Sequence, residues 1–207
     1  VSPVFAYPKT RHARTQSPPA YKSYSSFKPV LRAEFEARCV YCRVPDGIQG
    51  DAAFGVDHYR PKHRFPALQV EYLNLYYCCN ACNSRKGGYW PAPDVEAEEF
   101  IPNPCDHEMF AHLRYRSGEV EARSRAGEFA VELLDLNDPV TVSWRAAVLT
   151  AVDALRSQRA EAERKLAAIG KRQAQGKMTE AQAIAARARL DAAIANATSA
   201  LSHFGAD

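Results

Sequence analysis

Long hydrophobic runs are missing from this 207-residue chain. No window approaches the ~18 uncharged apolar residues that a membrane-spanning helix requires, so no membrane partner is expected. The opening residues also lack the apolar stretch of a signal peptide. Neither sign of charge dominates: 27 Lys and Arg face 24 Asp and Glu, a net of +3. A polyanion would therefore have to bind part of the surface rather than all of it. Such parts exist, because residues 1–38 carry net +5, 39–92 net +2, 93–140 net −8 and 141–207 net +4. Basic segments flank an acidic one. Residues 1–27 show neither a two-residue nor a 3.6-residue period and read as an irregular arm lying on the core or on a ligand.

Six cysteines are present, and their spacing argues against a disulfide framework. Cys39 and Cys42 form one CxxC and Cys79 and Cys82 another. Four thiolates in two knuckles satisfy Zn²⁺ completely and leave no open position, so the expected zinc is structural. A reducing, cytoplasmic compartment follows as the expectation. Cys78 and Cys105 fall outside the pattern, and Cys78 reads as a packed neighbour of a ligand.

The remaining elements follow from periodicity and punctuation. A short helix is expected from about Lys28 to Arg38, with Pro29 in its first turn and Leu31 and Phe35 on one face. Residues 92–112, acidic and Pro-containing, read mostly as loop. Leu113 to Ala122 alternates around Ser117-Gly118 and predicts a hairpin. A helix over about Glu128 to Leu136 would offer Phe129, Leu133 and Leu136 to a core. Asp138 caps and Pro139 opens a long helix with an apolar stripe from Trp144 to Ile169. After Gly176, Thr179 and Gln182 form a capping box for an Ala-rich helix. The result is an antiparallel helical pair over about 139–204, expected to pack on itself, on the core, on a protein partner or on a second copy.

The chemistry concentrates between the knuckles. Asp57 and His58 end an apolar run, Phe54-Gly55-Val56, that predicts a short strand. A carboxylate is a hard ligand for Mg²⁺ or Mn²⁺, and a neighbouring neutral imidazole can take a proton from water near pH 7. Asn74, polar within Tyr72-Leu73-Asn74-Leu75, is placed to hold the His58 ring in orientation. Asn83, directly after the last cysteine, can share the ion with Asp57. Arg60, Lys62, Arg64, Arg85 and Lys86 flank these residues as phosphate contacts or as solubilising charge. His63 is a second possible base, whereas His107 and His112 have no metal-site spacing. No motif for reading base edges is evident.

In this order and spacing, Cys39-x2-Cys42, Asp57-His58, Asn74 and Cys79-x2-Cys82-Asn83-x2-Lys86 resemble the zinc-bearing branch of the HNH endonucleases. The likeness covers about 50 residues. Asn83 stands where the family name has its final histidine, a common replacement in that family. The resemblance implies an α+β fold: a zinc-stapled, treble-clef-like ββα-metal core with the helical pair at its C-terminal side. The expected division is 1–38 arm and short helix, 39–91 nuclease core, 92–138 acidic loop, hairpin and helix packing on the core, and 139–207 helical hairpin. It also implies hydrolysis of DNA, expected double-stranded, with one divalent ion and His58 as general base. A place as the cutting subunit of a prokaryotic anti-phage system follows by analogy of size and layout. The competing expectation is a zinc module of the same skeleton that binds nucleic acid or protein without cutting it.

Overall fold

A computed structural model describes residues 4–95 and 97–206. The chain is α+β, with two small antiparallel sheets, and it divides into two compact units. One unit is Phe5–Arg145, and the other joins Val4 to residues 146–206. The division falls inside a long helix, after Arg145.

The first unit is built around β1 (Phe54–His58) and β2 (Leu75–Cys79), paired antiparallel from Phe54↔Cys79 to His58↔Leu75. All five residues of β2 are buried. α1 (Lys28–Glu34), with Pro29 in its first turn, contributes the buried Leu31, and Phe35 follows it. This helix is shorter than expected because Glu36 and Ala37 take positive φ and turn the chain into the first knuckle. There Cys39 N–H donates to the Val44 carbonyl, and Val40 N–H donates to Tyr77, tying the knuckle to β2. A short α2 (Asp46–Gln49) follows. The second knuckle passes straight from β2 into α3 (Asn80–Lys86), with Cys79 as N-cap: its Sγ accepts the Cys82 N–H.

Beyond one helical turn, α4 (Met109–His112), β3 (Leu113–Arg116) and β4 (Glu119–Ala122) form the expected hairpin. Ser117 and Gly118 both have positive φ, as a tight two-residue turn requires. α5 (Arg125–Leu133) begins earlier than expected because Ser124 caps it, its hydroxyl accepting the Gly127 N–H. Gly127 has no alternative, since a Cβ there would collide with the His112 carbonyl.

The arm is irregular, as expected, but it is strapped to the core. Tyr7 stacks on Tyr115 at 5.1 Å, and His12 N–H donates to the Pro104 carbonyl. The Arg14 guanidinium lies 4.6–4.8 Å from the ring centres of Phe35, Tyr72 and Tyr76 and donates to the Leu75 carbonyl.

In the second unit, α6 (Pro139–Ala174) contributes its part beyond Arg145, and α7 (Glu180–His203) returns beside it. Arg187 bonds Gln173 near the turn, and Arg156 bonds the Ala206 carbonyl at the far end, so the helices run antiparallel. Both bonds of the Thr179–Gln182 capping box are formed. Among the described residues no helix is long and apolar enough to cross a membrane.

Candidate active site and metal centre

The pairing of the knuckles brings four sulfurs together. The Sγ atoms of Cys39, Cys42, Cys79 and Cys82 lie within 4.8 Å of one another, all from buried residues. Cys42 and Cys79 sulfurs are 3.6 Å apart. A tetrahedron with Zn–S bonds of about 2.3 Å has edges of roughly 3.8 Å, so the cluster fits structural zinc. Hydrogen bonds among the four thiols push Cys79 below the ordinary thiol range and Cys42 and Cys82 above it, so a metal binding all four has to displace protons from the cluster. Cys78 lies 3.9 Å from the Cys39 sulfur, but its thiol donates to the Cys79 carbonyl. It is the packed neighbour expected.

Asp57 and His58 stand next to each other at the end of β1, and both are buried. Asp57 enters the interior and is 2% exposed. Tyr41, between the two cysteines of the first knuckle, donates its hydroxyl to one carboxylate oxygen at 2.6 Å. Lys86, at the end of α3, donates to the other at 3.0 Å and to the His58 carbonyl at 2.8 Å. Lys86 is thus 3% exposed and locked in an ion pair. Its ammonium is therefore engaged by Asp57 and the His58 carbonyl, where a phosphate contact was expected. Arg85 is likewise committed, to Asp135, Asp138 and the Leu134 and Asp135 carbonyls.

His58 is 8% exposed, and its Nε2 pairs with the Gln69 carbonyl at 2.9 Å. A carbonyl only accepts, so Nε2 carries the proton and Nδ1 keeps the basic lone pair. Burial pushes the ring below the usual histidine range, partly offset by the Gln69 carbonyl and Asp57, which favours the neutral form. The Tyr24 ring meets the imidazole edge-on, with centres 4.7 Å apart.

Asn74 does not hold that ring. Its Oδ1 accepts the Arg60 N–H at 2.8 Å and its Nδ2 donates to the Arg60 and Leu68 carbonyls. It clamps the chain leaving β1 to the segment that returns as β2, and Gln69 orients the imidazole. Asn83 lies against β1: its Nδ2 would be 4.0 Å from a Cβ at Gly55, an ordinary contact distance.

Asp57, His58 and Asn83 line one open cleft of about 320 Å³, together with Tyr24, Lys62 and His63. Gly88 also lines the cleft, and the His63 ring packs so close to it that a Cβ there would strike the ring. Lys62 is exposed, its ammonium 4.7 Å over the Tyr24 ring. The Arg60 guanidinium lies near the Trp90 and Phe65 rings, and Arg64 bonds the Trp90 carbonyl. His107 stacks on Phe100 and His112 meets it edge-on, and neither lines this cleft.

Three participants escaped the sequence reading. Gln69 acts through a backbone carbonyl, which residue chemistry does not reveal. Tyr24 sits in the aperiodic arm. Tyr41 alone left a signal, a hydroxyl fixed between two cysteines of the cluster.

No family model matches the chain. A stretch of 101 residues is 29% identical to the Septu protein PtuB of Bacillus thuringiensis. That alignment spans 48% of this chain and 37% of the relative, so the likeness is to part of that protein.

Proposed function

We propose that this protein is an HNH-type endonuclease that hydrolyses phosphodiester bonds of DNA, with β1, β2 and α3 as a ββα-metal core. The observation that carries the reading is one cleft, lined by Asp57, His58 and Asn83, built on a four-cysteine cluster. The neutral His58 takes a proton from water through Nδ1 as the water oxygen attacks phosphorus. The P–O3′ bond breaks, the electron pair leaves on O3′, and a solvent proton completes a 3′-hydroxyl opposite a 5′-phosphate. Asp57 and Asn83 would hold one Mg²⁺ or Mn²⁺. Each Asp57 oxygen already accepts one bond but has a second acceptor site, and so sparse a donor set suits an ion that keeps its waters. Such an ion supplies charge stabilisation at the scissile phosphate. Arg60, Lys62 and Arg64 follow His58 and would contact the flanking phosphates without reading sequence.

The likeness to a Septu protein supports a place as nuclease subunit of a prokaryotic anti-phage system. One observation favours a second reading, a non-catalytic zinc module that binds nucleic acid or protein: the Tyr41 and Lys86 bonds to Asp57 would by themselves serve as a structural clasp. Plasmid nicking with Mg²⁺ or Mn²⁺ separates the two. The parent is expected to cut, and His58→Ala, folded and zinc-loaded, to lose roughly a hundredfold or more, the usual range for a general base. Equal cutting by both would remove His58 from the chemistry, and no cutting by the parent would leave the binding module.

A further inference from the structure

A base held by one hydrogen bond can still swing about it. The Gln69 carbonyl holds a single nitrogen of His58, so a second contact is needed to fix the plane of the ring. Asn74, the side chain expected to supply it, bonds instead to backbone atoms of Arg60 and Leu68. The second contact comes instead from a part of the chain outside both knuckles.

Tyr24 opens a short 3₁₀ turn, Tyr24–Phe27, at the end of the arm. The turn is pinned by Ser26 N–H donating to the Ser23 carbonyl, by the buried Phe27, and by the Tyr21 ring meeting Phe27 edge-on at 4.8 Å. Tyr24 itself is only half-buried, lines the cleft, and stands at 71° to the His58 ring. The same ring serves Lys62: the ammonium lies over it at 4.7 Å and reaches the hydroxyl at 3.5 Å. One side chain thus touches the imidazole and the exposed lysine of the same cleft. A half-buried tyrosine is a poor core residue, and its contacts are with the residues expected to work.

We infer that Tyr24 is a positioning residue: its ring holds the His58 imidazole in its working orientation, and its hydroxyl and ring face hold Lys62 for the substrate phosphate. This rests on the nuclease reading. The two halves separate by substitution. Tyr24→Leu keeps apolar bulk but removes the aromatic edge, and a misplaced reacting group costs on the order of tenfold or more in rate. Tyr24→Phe keeps the edge and loses only the hydroxyl.

The test is cleavage of a short duplex with Mg²⁺ by the full chain and both variants, with melting temperature and zinc content measured alongside. Expected are a kcat lowered about tenfold or more in Tyr24→Leu with KM little changed, and in Tyr24→Phe a kcat near the parent's with KM raised a few-fold. Carbon-edited NMR of the His58 ring should give one sharp set of signals in the parent and Tyr24→Phe, and signals broadened or doubled by exchange between orientations in Tyr24→Leu. A purely structural tyrosine would instead lower melting temperature and leave kcat unchanged and the ring signals single and sharp, moved only by the lost ring current of a neighbour 4.7 Å away. If His58→Ala is inactive while Tyr24→Leu cuts like the parent, the inference fails and the nuclease reading stands. If the parent does not cut, the nuclease reading fails, and a single sharp set of ring signals in Tyr24→Leu would then overturn the positioning role as well.

Discussion

Buried charge in this protein is resolved residue by residue, and each solution has a measurable signature. Glu34 is buried on α1, and burial alone would raise its pKa. Hydrogen bonds from the Tyr72 hydroxyl, from the Thr15 and Gln16 N–H groups and from His12 outweigh that and bring it from the ordinary 4.5 to about 2. A carboxyl depressed in the folded state stabilises fully above the unfolded pKa and loses that contribution as pH falls through the folded one. Glu34 therefore contributes at pH 7 and ceases to between about 4.5 and 2. A shift of this size corresponds to about 3 kcal/mol. Urea denaturation of Glu34→Gln should show a loss of up to that amount at pH 7 and a flatter stability curve between pH 4.5 and 2. Parallel curves for parent and variant would reject it. Because three of the donors come from the arm, the same carboxylate explains why an aperiodic segment lies on the core.

The ion pair of Asp57 and Lys86 shows where residue chemistry stops being readable. Both residues were evident as candidates, an acid beside a histidine and a base after a zinc knuckle. Whether they face a phosphate or each other depends on which side of β1 and α3 each occupies, and that is set by packing. Removing one partner of such a buried pair typically costs about 3–5 kcal/mol, because the other charge is left uncompensated. The pair therefore fixes α3 against β1 whatever else it does.

At the scale of elements, legibility followed local physics. The β3–β4 hairpin was visible because alternation and a Ser-Gly turn are both encoded within ten residues. The opening of α7 was visible for the same reason, since a capping box is a contact between residues three apart. Thr179→Ala should destabilise α7 by about 1 kcal/mol. Hydrogen exchange of the first-turn amides should quicken, and unchanged exchange would show that the box carries no weight. The ends of α1 and α5 were misjudged because they are set by less local events. Positive φ at Glu36 and Ala37 ends α1 ahead of the zinc knuckle, and Ser124 starts α5 where Gly127 passes close to the His112 carbonyl.

At the scale of the whole molecule, the unit Phe5–Arg145 has two small sheets and short helices, so four sulfurs have much to hold. Structural zinc typically contributes roughly 10–16 kcal/mol of apparent binding free energy, which is then folding energy. Removing zinc with a strong chelator should therefore unfold β1, β2 and α3 together. Loss of their dispersed NMR signals, reversed by added Zn²⁺, is the expected outcome. A chelated protein whose β1–β2 signals stay native would exclude a structural role for the metal.

The sequence alone determined the zinc knuckles, the hairpin, the paired C-terminal helices and the resemblance to HNH endonucleases, because each is a pattern of residue types at short, fixed spacing. Only the tertiary structure decided that Asn74 clamps backbone, that Gln69 and Tyr24 attend His58, and that Lys86 is spent on Asp57. Those outcomes depend on which atoms meet across segments distant in the chain. Such meetings are governed by strand register, burial and the unmet hydrogen bonds of the backbone, none of which is written at any single position.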